Sequence, residues 1–225
     1  MAIPFTTAAT LTGSIYNSNL DIEKDVSKKA VGSVRVKRGK TEVIVGVKLE
    51  TRTPYSDHDD EGTMMVGMEF SPICGDRYEV GPPKMDSIEV SRVVDRGVRE
   101  SKFIDFKKLC IKKGEKVWTI FIDIYSINDD GNLLDAAGIG AVAALKNAKI
   151  PEYDKKEERV SYGKWTDKKL PLKKEIPLSI TFYKIEENIV VDPTIEEEDA
   201  SEVRVTRGSH KGSISSVQKG NTKGV

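Results

Sequence analysis

The sequence predicts an α+β domain in which helices pack on a β-sheet. Three observations predict it. Val34, Val36, Val43, Val45 and Val47 alternate with other residues on either side of Arg38-Gly39-Lys40, the pattern of a half-buried hairpin. Residues 117–127 (VWTIFIDIYSI) form the most apolar run of the chain and predict a strand central to a sheet. Residues 88–102 (IEVSRVVDRGVRESK) place Val90, Val93, Val94, Gly97 and Val98 on one side of a helix turning about 100° per residue.

Taken in order, residues 1–20 are weakly patterned and predict a loosely ordered N-terminal segment, with a single domain over 21–225. Gly39 supplies the hairpin turn between 32–37 and 41–49. Residues 53–62 are polar and acidic and predict an exposed loop, and 64–70 a third strand. Residues 71–84 carry Pro72, Gly75, Gly81, Pro82 and Pro83 and predict an irregular connection, with Asp86 or Ser87 as N-cap of the following helix. After the central strand, NDDGN (128–132) turns the chain into a helix over 133–148 built largely of alanine and glycine, whose small side chains let it approach a sheet closely. Pro151 blocks its continuation. Residues 153–174 predict a charged hairpin or long loop, 176–183 and 189–191 strands, 192–201 an acidic turn, and 203–206 with 214–218 a last pair of strands.

Positive and negative side chains balance, 36 Lys and Arg against 36 Asp and Glu. Such a chain does not coat nucleic acid unspecifically but can carry a local basic site. Cys74 and Cys110 are the only cysteines and match no metal or redox spacing, which predicts two reduced thiols in a cytoplasmic protein. His58 and His210 alone suggest neither a zinc site nor a histidine-based triad. No apolar run reaches membrane-spanning length, and the first residues lack the basic and apolar regions of a signal peptide.

The candidate site lies on the predicted arginine helix. Arg92, Arg96 and Arg99 fall on the side away from the valines, at i, i+4 and i+7. A guanidinium is planar, permanently charged and shaped to grip phosphate oxygens, so this row can hold a nucleic-acid backbone. The same spacing also fits a solvated face laced by Glu89–Arg92, Asp95–Arg99 and Arg96–Glu100 pairs.

Three stretches carry a resemblance: GPPKMDSIEVSRVVDRGVRESKFIDFKKLCI (81–111), VWTIFIDIYSINDDGNLLDAAGIGAVAALKNAKIP (117–151) and VVDPTIEEEDAS (190–201). Together they resemble the RNase PH family, and more closely its non-catalytic ring subunit in the archaeal exosome core. The likeness covers most of 21–218. It implies an RNase PH-like (ribosomal protein S5 domain 2-like) β-sheet with packed helices. It also implies a hetero-hexameric ring shared with a catalytic RNase PH-like subunit, RNA-binding cap subunits, and single-stranded RNA threaded inside. Catalytic relatives shorten RNA from its 3′ end by phosphorolysis. The resemblance assigns RNA contact to Arg92 and Arg96, and either RNA or subunit contact to Arg99; it implies no cofactor and no membrane.

Two departures from the catalytic pattern predict that this chain is not the catalyst. Where relatives read DGG[TS]R, the hydroxyl and arginine positions hold Leu133 and Leu134, and Asp135 adds a negative charge where phosphate docks. The paired aspartates of the acidic segment fall on Glu198 and Arg204, and an arginine neither ligates a cation nor donates a proton as the acid. The charge run 196–199 otherwise reads as solvated surface. The usual terminal helices of the family are not visible. Three readings therefore stand: a non-catalytic ring subunit, a phosphorolytic exoribonuclease active by itself, and a scaffold with no RNA contact.

Overall fold

A computed structural model of the chain describes residues 19–154, 157 and 159–220. The expected loose segment 1–20 lies outside them except for its last two residues, where Leu20 already opens the first strand.

The hairpin forms as expected. β2 (Gly32–Arg38) and β3 (Thr41–Arg52) pair antiparallel, and Gly39 takes the positive φ of the turn, +58°. Along β3, Thr41, Val43, Val45, Val47 and Leu49 are buried in alternation, so period-two patterning alone fixes which face meets the core. β1 (Leu20–Lys24) covers the outer edge of β2, and β6 (Lys116–Asn128) pairs with β3 on the other side. β4 (Thr63–Phe70) lies parallel to β6 and closes the sheet, which runs β1-β2-β3-β6-β4, with β5 (Cys110–Lys112) against the start of β6. The strand expected to be central is central. Its Ile120, Ile122 and Ile124 enter the core, while Phe121 faces outward under the Arg52 guanidinium, 4.7 Å above the ring.

A second sheet runs β10-β9-β11-β12, all antiparallel, from β9 (Leu178–Ile185), β10 (Asn188–Val191), β11 (Val203–His210) and β12 (Ser213–Gly220). The charged stretch after the second helix is a hairpin, β7 (Lys149–Asp154) with β8 (Arg159–Lys169).

Two helices fill the space between the sheets. α1 (Met85–Glu100) packs on β4 and reaches β11 and β12; α2 (Leu133–Asn147) packs on β2 and β3 and reaches β9. The small residues of α2 do what their size predicts: a Cβ on Gly140 would stand 2.6 Å from Val45 Cγ2. On α1, Val90, Val93, Val94 and Val98 are buried, and a Cβ on Gly97 would meet Ser179 Oγ of β9 at 3.0 Å.

Three local expectations are corrected. The helix starts at Met85, with Lys84 rather than Asp86 or Ser87 as N-cap, because Ser87 lies one turn inside and gives its hydroxyl hydrogen back to the Lys84 carbonyl. It ends at Glu100, since Lys102 turns to φ +52°. The acidic turn at 192–201 contains a helix, α3 (Ile195–Ala200), opened by a reciprocal capping box between Thr194 and Glu197.

Candidate nucleic-acid interface and the neighbouring crevice

Because the valine face of α1 is buried, its opposite side is presented to solvent, and Arg92, Arg96 and Arg99 are all exposed there. The structure separates them by what they touch. Arg99 is committed: Nε and Nη2 donate to the two Asp95 oxygens at 3.0 and 2.7 Å, and Nη2 also donates to the Met64 carbonyl on the edge of β4 at 2.8 Å. It lies 5.8 Å above the Phe106 ring, and the Asp95 hydrogen bonds lift its pKa above the usual value. Arg96 makes one neutral contact, donating to Gln218 Oε1 at 3.3 Å. Arg92 has no hydrogen-bond or ion-pair partner among the described residues. Arg92 and Arg96 line one open groove of about 500 Å³ between α1 and the 66–69 stretch of β4, whereas Arg99 borders a different hollow with His58, Lys102 and Lys107.

Of the three expected ion pairs on this face, only Asp95–Arg99 forms. Glu89 turns instead to Arg204 on β11, with Nη2 to Oε1 at 2.6 Å, because that guanidinium is mostly buried and needs a close anion more than the exposed Arg92 does. Arg96–Glu100 is replaced by the Gln218 contact from β12.

The turn before α2 opens a crevice of about 490 Å³ beside this helix. Gly131 takes φ +99° where a Cβ would lie 2.3 Å from the Pro193 carbonyl oxygen, and Asn132 follows at φ +52°. Leu133 and Leu134 are buried and form an apolar wall. Exposed backbone N–H groups make a helix N-terminus a ready anion position. Here the protein fills it: the Asn132 N–H donates to Glu198 Oε2 at 3.0 Å, Tyr183 donates its hydroxyl to Oε1 at 3.0 Å, and Arg204 Nη1 stands 3.6 Å from Oε1. Burial pushes the Glu198 carboxyl up from its ordinary value against those hydrogen bonds and the Arg204 charge. The other charged residues of the lining are mainly anionic, Asp86, Glu89, Asp129, Asp199 and Glu202 against Arg77 and Arg204.

Two sequence expectations change here. The run 196–199 is not simply solvated surface: Glu197 caps α3, Asp199 grips Arg77 through both its oxygens at 3.0 and 2.8 Å, and Glu198 turns inward. Asp135 does not sit in the crevice. It is buried at 2% exposure, where it accepts from Thr181 Oγ1 at 2.7 Å, Asn132 Nδ2 at 3.0 Å and Arg38 Nη1 at 3.2 Å. The anion that accepts the backbone N–H at the start of α2 is therefore Glu198. The sequence held two signals for this, the alignment of Glu198 and Arg204 with the paired aspartates of catalytic relatives and the Thr194-to-Glu197 capping spacing, which fixes the helix that aims Glu198 inward; nothing in it marks the Glu89–Arg204 or Arg38–Asp135 pairs.

Residues 18–151 match the 3′ exoribonuclease family, domain 1 (RNase PH), and residues 175–223 match its domain 2. The chain belongs to the RNase PH family. It is 45% identical over 202 residues to the exosome complex component Rrp42 of Methanosarcina mazei, spanning 89% of this chain and 73% of that protein. It is 43% identical over 187 residues to the Rrp42 of Archaeoglobus fulgidus, spanning 83% and 69%. Among solved structures, it is similar to a chain of the Archaeoglobus fulgidus exosome with RNA bound to the active site, at 39% identity and a TM-score of 0.82 over 92% of this chain and 79% of that one. A chain of an archaeal exosome core superposes with a TM-score of 0.78 at 37% identity, over 92% and 76%. The family resemblance read from 81–111, 117–151 and 190–201, and the RNase PH-like fold it implied, are both correct. Among the described residues no helix is long and apolar enough to cross a membrane, and none of their His, Cys, Asp and Glu groups is arranged to hold a metal ion.

Proposed function

We propose that this chain is a non-catalytic ring subunit of an archaeal exosome-like complex that degrades RNA from the 3′ end. In this reading it alternates with a catalytic RNase PH-like subunit in a hexameric ring below RNA-binding cap subunits. It holds single-stranded RNA through Arg92 and Arg96 so that the 3′ end meets the partner's active site. The two unpaired cysteines fit a reducing cytoplasm.

One observation carries the non-catalytic part. The position at the α2 N-terminus where an attacking phosphate needs N–H donors is filled by the protein's own Glu198, beside buried Leu133 and Leu134 and among further carboxylates. A free phosphate would have to displace a hydrogen-bonded internal anion and enter a negative field. The role of Arg92 and Arg96 rests on their exposure on one groove without an ion-pair partner among the described residues, which leaves most of their donors available for phosphodiester oxygens. Positioning of this kind accelerates a reaction without touching the bonds that change.

The test is a phosphorolysis assay on the purified chain alone, with end-labelled RNA, inorganic phosphate and magnesium. No nucleoside diphosphate is expected. Release of nucleoside diphosphate that Glu198→Gln abolishes would overturn the reading.

A further inference from the structure

The crevice beside α2 is tightly wired, and its wiring leads to the arginine helix. Arg204 stands at its centre with only 13% of its side chain exposed. One nitrogen meets Glu89 Oε1 on α1 at 2.6 Å, and another faces Glu198 Oε1 on α3 at 3.6 Å. Glu198 is itself held by the Asn132 N–H at the start of α2 and by the Tyr183 hydroxyl of β9. The guanidinium lies against Gly220 of β12 so closely that a Cβ there would come within 2.4 Å of Nη2. Glu89 lies one residue past Ile88 and three before Arg92, on the helix whose free face carries Arg92 and Arg96. A second thread from the same sheet, Gln218 of β12, touches Arg96 directly.

We infer that Arg204, held between Glu89 and Glu198, is a positioning residue for RNA: it anchors the rotation of α1 and so aims Arg92 and Arg96 at the nucleic-acid backbone without contacting it. This deepens the proposed function and rests on Arg92 and Arg96 holding RNA. The physical argument is that a mostly buried guanidinium stays charged whatever surrounds it, so losing either carboxylate leaves a desolvated charge uncompensated. Apolar packing on the valine face is non-directional, so the roll of α1 is set largely by polar ties at its edges, here Glu89 to Arg204 near its start and Arg99 to the Met64 carbonyl near its end. A short ion pair at one edge removes that freedom. A roll of α1 would carry both arginines off a shared phosphate path together.

The sign of one substitution separates this from a plain charge effect. Glu89→Gln removes a negative charge beside the arginine face, so electrostatics alone would tighten RNA binding. If the clamp aims the helix, the same change weakens binding, by about threefold to tenfold. The experiment measures RNA affinity at several salt concentrations on the ring assembled with a catalytic RNase PH-like partner, checking assembly by native mass on the same sample. Glu89→Gln and Arg204→Gln should each weaken binding and flatten the salt dependence, and the double variant should be no worse than either alone. Arg77→Gln, which loses a cation from the same crevice but holds Asp199 rather than α1, should bind RNA as the unmutated ring does. If Glu89→Gln in an intact ring binds RNA as well as or better than the unmutated ring, the clamp is overturned while the function stands. Arg92→Glu with Arg96→Glu is the control for the underlying reading. If that ring keeps full RNA binding, the RNA-holding role fails and the positioning role for RNA falls with it; amide hydrogen exchange across residues 85–100, which Glu89→Gln should speed, reads the anchoring of α1 separately, and unchanged exchange overturns the anchor as well.

Discussion

The Arg38 guanidinium bridges two carboxylates, Asp135 at 3.2 Å and Asp192 at 3.0 Å, and so ties the end of β2 to the first turn of α2 and to the chain leaving β10. Asp135 is the deepest charge of this group and accepts from both halves of the molecule, from Asn132 on one side and Thr181 on the other.

Removing that carboxylate leaves Arg38 short of a partner and Thr181 and Asn132 short of an acceptor. Asp135→Ala should therefore cost about 3 kcal/mol or more, and Asp135→Asn distinctly less because the amide keeps one acceptor. Urea unfolding of the two variants checks this. Equal stability of Asp135→Ala and the unmutated chain would mean the network holds nothing.

Burial raises the carboxyl pKa of both Asp135 and Glu198 above their ordinary values, despite the hydrogen bonds and cations that oppose it. The folded state thus keeps protons that the unfolded chain has already released. The stability these groups contribute is fully present below their ordinary values of 3.8 and 4.5 and is lost as pH rises through the raised folded values. Subtracting the stability profile of Asp135→Asn with Glu198→Gln from that of the unmutated chain should leave a component that falls as pH climbs out of the acid range. A component that rises would show that Arg38 and Arg204 outweigh burial.

Arg92→Glu with Arg96→Glu, in an assembled ring, should weaken RNA binding about equally for all sequences, since backbone contacts carry no base information. Each lost phosphate contact should reduce the magnitude of the log–log salt slope by about 0.7. Arg99→Gln should leave that slope unchanged, because its donors already serve Asp95 and the Met64 carbonyl, and should cost about 1 kcal/mol or less of stability. A slope that drops for Arg99→Gln and not for the other pair would reverse the assignment.

Gly131→Ala should destabilise the chain by about 2–4 kcal/mol, the sum of a positive φ and a Cβ forced onto backbone atoms. The Pro193 carbonyl cannot move without dragging the start of α3, so Glu198 should shift with it. Thermal melts compare this variant with Gly39→Ala, which also has a positive φ but open space around it and should lose less.

Much of this protein was written locally. A period of two placed Val34 to Leu49 as a hairpin and named its buried face. A period of 3.6 placed Val90, Val93, Val94 and Val98 on one side of a helix and three arginines on the other, and the small residues of α2 announced a close helix–sheet contact that Gly140 makes. These readings hold because the information is a spacing along one segment. The three stretches that resemble the RNase PH family carried the fold in the same way.

The partners of the charged residues were a different matter. On the helix alone Glu89 is as near to Arg92 as a salt bridge requires, yet it serves Arg204; Asp135 looked like a charge in a phosphate crevice, yet it is buried on Arg38; Glu198 read both as an acid-pair position and as part of a solvated charge run, and it accepts the N–H at the start of α2. Each choice was made by burial. A charge taken out of water needs the nearest strong partner, and which partner is nearest depends on how two sheets and two helices close on each other. The sequence by itself determined the elements, their buried faces and the row of Arg92, Arg96 and Arg99. Only the tertiary structure decided which of those arginines stays free, because desolvation acts on a residue's surroundings in space and not on its neighbours along the chain.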